Sequence, residues 1–246
     1  MAAVETEEEL SLLAVFAHPD DESCLAGGTL AGCAAAGIRV TLICATSGEA
    51  ADPCCLPDPV DPPEMARIRE AELRCAAATL GLEELILLEL PDGRLADLDP
   101  AATVARLRGY LQSRRPAVVM TFAPDSLDEH PDHVTIGRAA TAAAQTIGAT
   151  LLYVVSDEMY AADETHLVVN IGQWVDHKRR AMHCYRSQAS CWRKREAALA
   201  RGEGTVEVYR RAGPPLTTSL TRLLTGAMIH TATPVNVPGE TGSSRT

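Results

Sequence analysis

Short apolar runs of strand length alternate along the chain with Ala-rich stretches of helical length. Residues 10–17 (LSLLAVFA), 39–45 (RVTLICA), 85–88, 117–121 (AVVMT) and 151–155 read as five strands. They are almost continuously apolar rather than alternating, which is the pattern of strands covered on both faces of a parallel sheet. Helices are predicted over residues 27–36, 63–80, 100–113, 133–147 and 174–185. Gly37 and Gly81 stop the first two. Pro63 and Pro100 sit in first turns, where a missing N–H costs nothing, and Asp99 is placed to cap the third helix. Residues 46–62 and 122–132 are polar loops, and residues 167–169 read as an edge strand. The Pro/Gly/Ser/Thr-rich residues 232–246 read as a flexible tail.

Strands and helices in alternation predict an α/β fold, Rossmann-like and doubly wound. Its mostly parallel sheet has the order 3-2-1-4-5, with helices on both faces. Residues 1–231 are expected to form one domain. In that order strands 1 and 4 are neighbours, and the chain direction reverses between them. Ligands bind beyond the strand C-termini at such a switch point.

Composition narrows the field. With 246 residues, 46% of them hydrophobic, the chain can bury a sizeable core. A net charge of −11 argues against a nucleic-acid or anionic-membrane partner, which would need a basic face. No apolar run approaches the ~20 residues of a membrane span. The opening MAAVETEEE lacks the basic-then-apolar start of a secretory leader. A cytoplasmic protein with a small-molecule substrate is expected, and self-association is left open. The eight cysteines, Cys24, Cys33, Cys44, Cys54, Cys55, Cys75, Cys184 and Cys191, are therefore expected as reduced thiols. Cys54-Cys55 has no CxxC spacing and reads as plain loop.

Two polar clusters should meet at the switch point. His18-Pro19-Asp20-Asp21-Glu22 follows strand 1, and Asp128-Glu129-His130-Pro131-Asp132-His133 follows strand 4. Adjacent carboxylates repel, and a bound cation would compensate. His18, Asp21 and His133 offer two nitrogens and one oxygen, a catalytic zinc set with one position open. Asp20 is then free to act as general base. His130 can protonate a leaving group or stabilise an oxyanion, and Asp132 is expected to hold the His130 imidazole. Alone, either cluster is ordinary turn chemistry; their convergence is the signal. Gly27 to Gly32 does not match GxGxxG, and no GxSxG or GxxxxGK[ST] occurs.

AHPDDE at 17–22 with HPDH at 130–133 resembles the PIG-L/LmbE-like family of zinc-dependent N-deacetylases. Thr46-Ser47-Gly48-Glu49 is similar to that family's T-x-G-E loop. Arg67 to Glu72 resembles its R-x-x-E-A helix, and Lys178 with Tyr185-Arg186-Ser187-Gln188 resembles its late K…[HY]-x-S-Q segment. The likeness covers residues 10–190 and leaves residues 191–231 as a variable part. It implies removal of an N-acyl group, usually acetyl, from a glucosamine-type amino sugar or glycoconjugate. It implies Zn2+, or another divalent metal such as Fe2+, on His18, Asp21 and His133. It also implies Asp20 as base, His130 as catalytic histidine supported by Asp132, and substrate contacts from Arg69 and Asp92. Some thiol-pathway members carry a tyrosine where this chain has Asp128. An amidase of thiol–sugar conjugates or other small amides, and a non-catalytic sugar-binding module, are the competing readings. Turnover on a panel of N-acyl sugars separates them. Whether Asp20 or His130 protonates the leaving amine stays open.

Overall fold

The five apolar runs become five parallel strands: β1 (Ser11–Phe16), β2 (Arg39–Thr46), β3 (Glu84–Leu90), β4 (Val118–Phe122) and β5 (Thr150–Val154). The computed structural model describes residues 10–52, 55–125, 130–155 and 166–216. Cys54, Asp128, Glu129 and the tail expected at 232–246 lie outside the described residues. Two more strands, β6 (His166–Asn170) and β7 (Val206–Ala212), complete a seven-stranded sheet of order β3-β2-β1-β4-β5-β7-β6. The expected 3-2-1-4-5 order is present, and β6 is the expected edge. β7 was not foreseen. It runs antiparallel to both β5 and β6.

The helices are α1 (Asp21–Ala35), α2 (Pro62–Leu80), α3 (Pro100–Arg114), α4 (Pro131–Gln145), α5 (Val175–Cys184) and α6 (Ala189–Ala200). Asp61 and Asp99 cap α2 and α3 by accepting from the N–H groups of Glu64 and Ala101. Strands β1 and β4 are buried at every position, so the sheet centre is the core. Among the described residues no helix is long and apolar enough to cross a membrane.

Three expectations need correction. Helix α1 begins at Asp21, six residues before the expected start at residue 27. Asp21 and Glu22 suit the positive end of a helix, and Gly27-Gly28 sits inside it because α1 is overlaid there. A Cβ on Gly28 would fall 2.5 Å from the Ile171 side chain. β7 and α6 escaped notice because β7 carries a buried glutamate, Glu207, where periodicity asks for an apolar residue. Third, Cys75 of α2 and Cys184 of α5 are not two thiols but a disulfide, with Cα atoms 5.9 Å apart. They are separated by 109 residues, and only the packing of α2 beside α5 brings them together.

Candidate metal centre and active site

β1 ends at Phe16, and the chain turns through His18-Pro19-Asp20 into α1. Asp20 takes a positive φ of 111°, a backbone state that non-glycine residues adopt only when their surroundings hold them there. Several groups hold it. The Asp20 N–H donates to Glu22 Oε2 at 3.2 Å, and its carbonyl accepts from Cys24 N–H at 2.9 Å. Arg69 of α2 donates to the Pro19 carbonyl and lies 3.3 Å from the Asp20 carboxylate. The turn places Asp20 and Asp21 in different surroundings.

Asp21 faces two histidines. Its Oδ2 accepts the His18 backbone N–H at 2.8 Å and lies 3.6 Å from His18 Nδ1; its Oδ1 lies 3.4 Å from His133 Nε2. His18 Nδ1 and His133 Nε2 are 3.2 Å apart. The donors are of the kinds a catalytic zinc takes, with Asp21 reaching His133 through Oδ1 and His18 through Oδ2. His133 is fixed by stacking on Phe122, with ring centroids 4.0 Å apart and planes 10° from parallel.

His18 has a second face. Its Nε2 lies 3.2 Å from Asp92 Oδ1 and 3.3 Å from Asp132 Oδ2. Ligand atoms of His18, Asp92 and Asp132, and likewise of His18, His130 and His133, come within 4.8 Å of one another. If Nδ1 ligates a metal, Nε2 carries the proton and donates to these carboxylates, the usual outer support of a metal histidine. The charge balance agrees. Burial opposes a charged His18, but Asp132, Asp21 and Asp92 outweigh it and push the imidazole up to about 12. Burial would raise Asp21, but His133 and His18 hold it well below the usual carboxylate range. The cluster wants positive charge at its centre, as a cation would supply.

Asp20 responds in the opposite sense. Burial, joined by the charges of Asp21 and Glu22 and opposed by Arg69, pushes it up to about 7. That is the range of a general base. His130 caps α4, its Nδ1 accepting the Asp132 N–H at 3.3 Å. Burial and the neighbouring His18 and His133 lower its pKa. Neutral His130 in this geometry carries its proton on Nε2.

The structure thus gathers His18, Asp20, Asp21, Asp92, His130, Asp132 and His133 at one crevice, with Arg69 directly behind it. Two assignments change in detail. Asp132 steadies His130 with its backbone N–H, whereas its carboxylate accepts from Gly93 N (2.8 Å) and Leu95 N (3.0 Å) and faces His18. The first turn of α4 aims that side chain inward, and it is fully buried. Arg69 is only 4% exposed, and its guanidinium meets Pro19 and Asp20 rather than open cavity. Gly48, at φ +72°, passes so close that a Cβ would lie 2.5 Å from Arg69 Nη1.

Sequence reasoning missed the supports. Glu22 Oε1 accepts from Ser23 Oγ (2.6 Å) and Tyr185 Oη (2.7 Å). Glu72 accepts from Ser187 N and Oγ (2.8 and 2.6 Å). Glu49 accepts from Asp92 N at 2.8 Å, and the Asp92 carboxylate accepts from Ala50 N at 2.9 Å. The accessory motifs were the available signal: their polar residues pair with one another and brace the crevice. A cavity of about 640 Å³ opens on Asp20, Asp21 and His133 and is also lined from α6 and β7.

Comparisons with known proteins place the chain in a family and beside several deacetylases. The family model described as GlcNAc-PI de-N-acetylase (PIG-L) matches residues 13–144, more than half of the chain. A probable N-acetyl-alpha-D-glucosaminyl L-malate deacetylase 2 of Bacillus cereus is 29% identical over 73% of this chain and 84% of its own length. A 1D-myo-inositol 2-acetamido-2-deoxy-alpha-D-glucopyranoside deacetylase 2 of Catenulispora acidiphila is 35% identical over 57% of this chain. The chain spans about half of that relative's length, 53%. Among solved structures, N,N'-diacetylchitobiose deacetylase from Pyrococcus horikoshii superposes with a TM-score of 0.68 at 21% identity, covering 82% of this chain and 83% of its own. GalB of Pseudomonas putida, a 4-carboxy-2-hydroxymuconate hydratase, gives 0.69 at 20% identity over 85% and 98%. The fold therefore hosts more than one reaction, and the site must decide.

Proposed function

The chain belongs to the GlcNAc-PI de-N-acetylase (PIG-L) family, and on that premise we propose that it is a metal-dependent N-deacetylase. Its substrate is an N-acyl, in the first place N-acetyl, group on a glucosamine-type amino sugar or glycoconjugate. The relatives named for glucosaminyl-malate and glucosaminyl-inositol deacetylation support that class. The observation that carries the reading is that the two aspartates at one cavity have different partners, Asp20 against Arg69 and Asp21 between His18 and His133.

His18 Nδ1, Asp21 and His133 Nε2 would hold the ion, zinc by preference and Fe2+ as the alternative. A divalent ion there supplies Lewis acidity to the amide carbonyl and lowers the pKa of water. Asp20 takes the proton from the attacking water as its oxygen bonds to the amide carbon. Arg69 holds Asp20 in place. His130 presents Nε2–H to the developing oxyanion. Asp20 or His130 then delivers a proton to the nitrogen as the C–N bond breaks, giving a carboxylate and a free amine. Asp92, anchored by Ala50, is the acceptor proposed for a sugar hydroxyl. The cytoplasm is the proposed place of action, and the Cys75–Cys184 disulfide, uncommon in that compartment, is the feature that tests it.

A panel of N-acetylated amino sugars and their glycosides, assayed for released amine with the metal-loaded protein, tests the proposal. Release from at least one amino-sugar member is expected. No release from any member, with binding retained, would turn the reading into a sugar-binding module. Release only from simple non-sugar amides would move it to a different amidase.

A further inference from the structure

Asp20 is held at two ends. Arg69 meets its carboxylate at 3.3 Å, and Glu22 Oε2 accepts its backbone N–H at 3.2 Å. The second contact bears on the backbone itself, which stands at a φ of 111°. A non-glycine residue keeps that state only while its surroundings fix it, so whatever fixes Glu22 also fixes the base.

Glu22 is 1% exposed, and among the described residues it makes no ion pair. A carboxylate buried without a cation is costly, and hydrogen bonds must compensate. Three donors do so: the Asp20 N–H on Oε2, and Ser23 Oγ at 2.6 Å with Tyr185 Oη at 2.7 Å on Oε1. All three partners donate, so the position calls for a side chain that only accepts, and an ionised glutamate is one. Tyr185 comes from 163 residues further along the chain and is fully buried. Its carbonyl accepts from Trp192 Nε1 at 2.9 Å and from Gln188 N at 3.2 Å, which ties it to the start of α6. Neither Glu22 nor Tyr185 lines the cavity, and Tyr185 lies beyond residues 13–144 matched by the family model.

We propose that Tyr185 and Glu22 are positioning residues for the reaction: the phenol hydroxyl holds the Glu22 carboxylate, and that carboxylate holds the turn that presents Asp20. Both act through Asp20 and neither meets the substrate. The proposal rests on the deacetylase reading above. It extends the machinery of the β1 end to the segment between α5 and α6.

The test uses the full-length, metal-loaded protein and the N-acetylated amino sugar from which it releases amine fastest. Tyr185→Phe keeps the ring and removes only the hydroxyl. It should retain its metal and lower kcat by about tenfold, as a misplaced reacting group does. KM should stay nearly unchanged, because the substrate's own contacts are intact. Glu22→Gln, close to it in size, should lower kcat at least as far, and it gives the same reading if Tyr185→Phe does not fold. Because the hydroxyl acts only through Glu22, the two losses should not add: Tyr185→Phe placed on Glu22→Gln should lower kcat by less than about twofold more. A packing role alone would lower thermal stability and leave kcat per folded, metal-bearing chain unchanged. That outcome, loss of the metal, a change confined to KM, or losses that multiply in the double variant would overturn the relay and leave the deacetylase reading standing. Release of amine from no amino sugar by the unsubstituted protein would overturn both.

Discussion

Asp20 and Asp21 are chemically identical side chains one residue apart, and the turn between β1 and α1 sends them in different directions. Asp21→Ala should lose the metal, because two histidines alone hold zinc poorly. Asp20→Asn should keep it and yet lose activity by ~10²–10⁴-fold, the usual contribution of a general base. Metal content and kcat measured on both variants check this; the reverse pattern of metal loss would exchange the two roles. Arg69 belongs to the same argument. A side chain 4% exposed and set against Asp20 is placed to act through the proposed base rather than on the substrate directly. Arg69→Ala should therefore lower kcat by roughly tenfold or more with a smaller change in KM. A rise in KM with kcat intact would instead make Arg69 a direct substrate ligand, as the family likeness implies.

Among the elements, β7 shows how a polar residue can organise packing. Glu207 collects Lys178 from α5, the N–H groups of Gly28 and Thr29 and the Thr29 hydroxyl from α1, and the Tyr209 hydroxyl. One carboxylate joins two helices to a strand that the antiparallel pairing had just placed. Lys178→Met leaves that carboxylate buried without its cation and should cost about 3–5 kcal/mol in chemical denaturation. The pH dependence follows from the same pair. Burial would raise Glu207, but Lys178 and the hydrogen bonds outweigh it and lower its pKa from 4.5. A carboxylate depressed on folding stabilises the native state above its unfolded pKa. That contribution is present above about pH 4.5 and is lost as pH falls through the lower folded value. Glu207→Gln should flatten the acid limb of the stability profile below pH 4.5; an unchanged limb would show that other groups govern it.

At the scale of the whole molecule, the disulfide ties two distant parts of the chain. Helix α2 carries Arg69, and α5 leads into the segment that carries Tyr185, Ser187 and α6. Cross-linking residues 109 apart restrains the unfolded chain by about 4–5 kcal/mol in the loop-entropy account, and measured values are commonly about 2–4. Cys75→Ser should lower stability by about 2–4 kcal/mol in protein purified without reductant. Peptide mapping under non-reducing conditions should show the Cys75–Cys184 peptide. A protein in which both thiols alkylate freely and Cys75→Ser changes nothing would restore the expectation of reduced cysteines.

How much of this was legible in the chain depends on the range of the interactions. Apolar runs, helix caps and prolines are local, so the parallel strands, most helices and the order 3-2-1-4-5 could be read from residues 10–155. The sheet order alone then brought His18 to His133, because β1 and β4 had to be neighbours, and residue chemistry made the pair a candidate metal set. Only the tertiary structure decided which atoms meet. It turned the Asp132 carboxylate toward His18 and buried Arg69 against Asp20. It matched Glu22 to Tyr185 and Glu72 to Ser187 across more than a hundred residues, and Cys75 to Cys184 likewise. β7 escaped for the same reason: Glu207 looks like a surface residue until α1 and α5 supply its partners. A contact between distant side chains leaves no period in the sequence, and packing alone selects it.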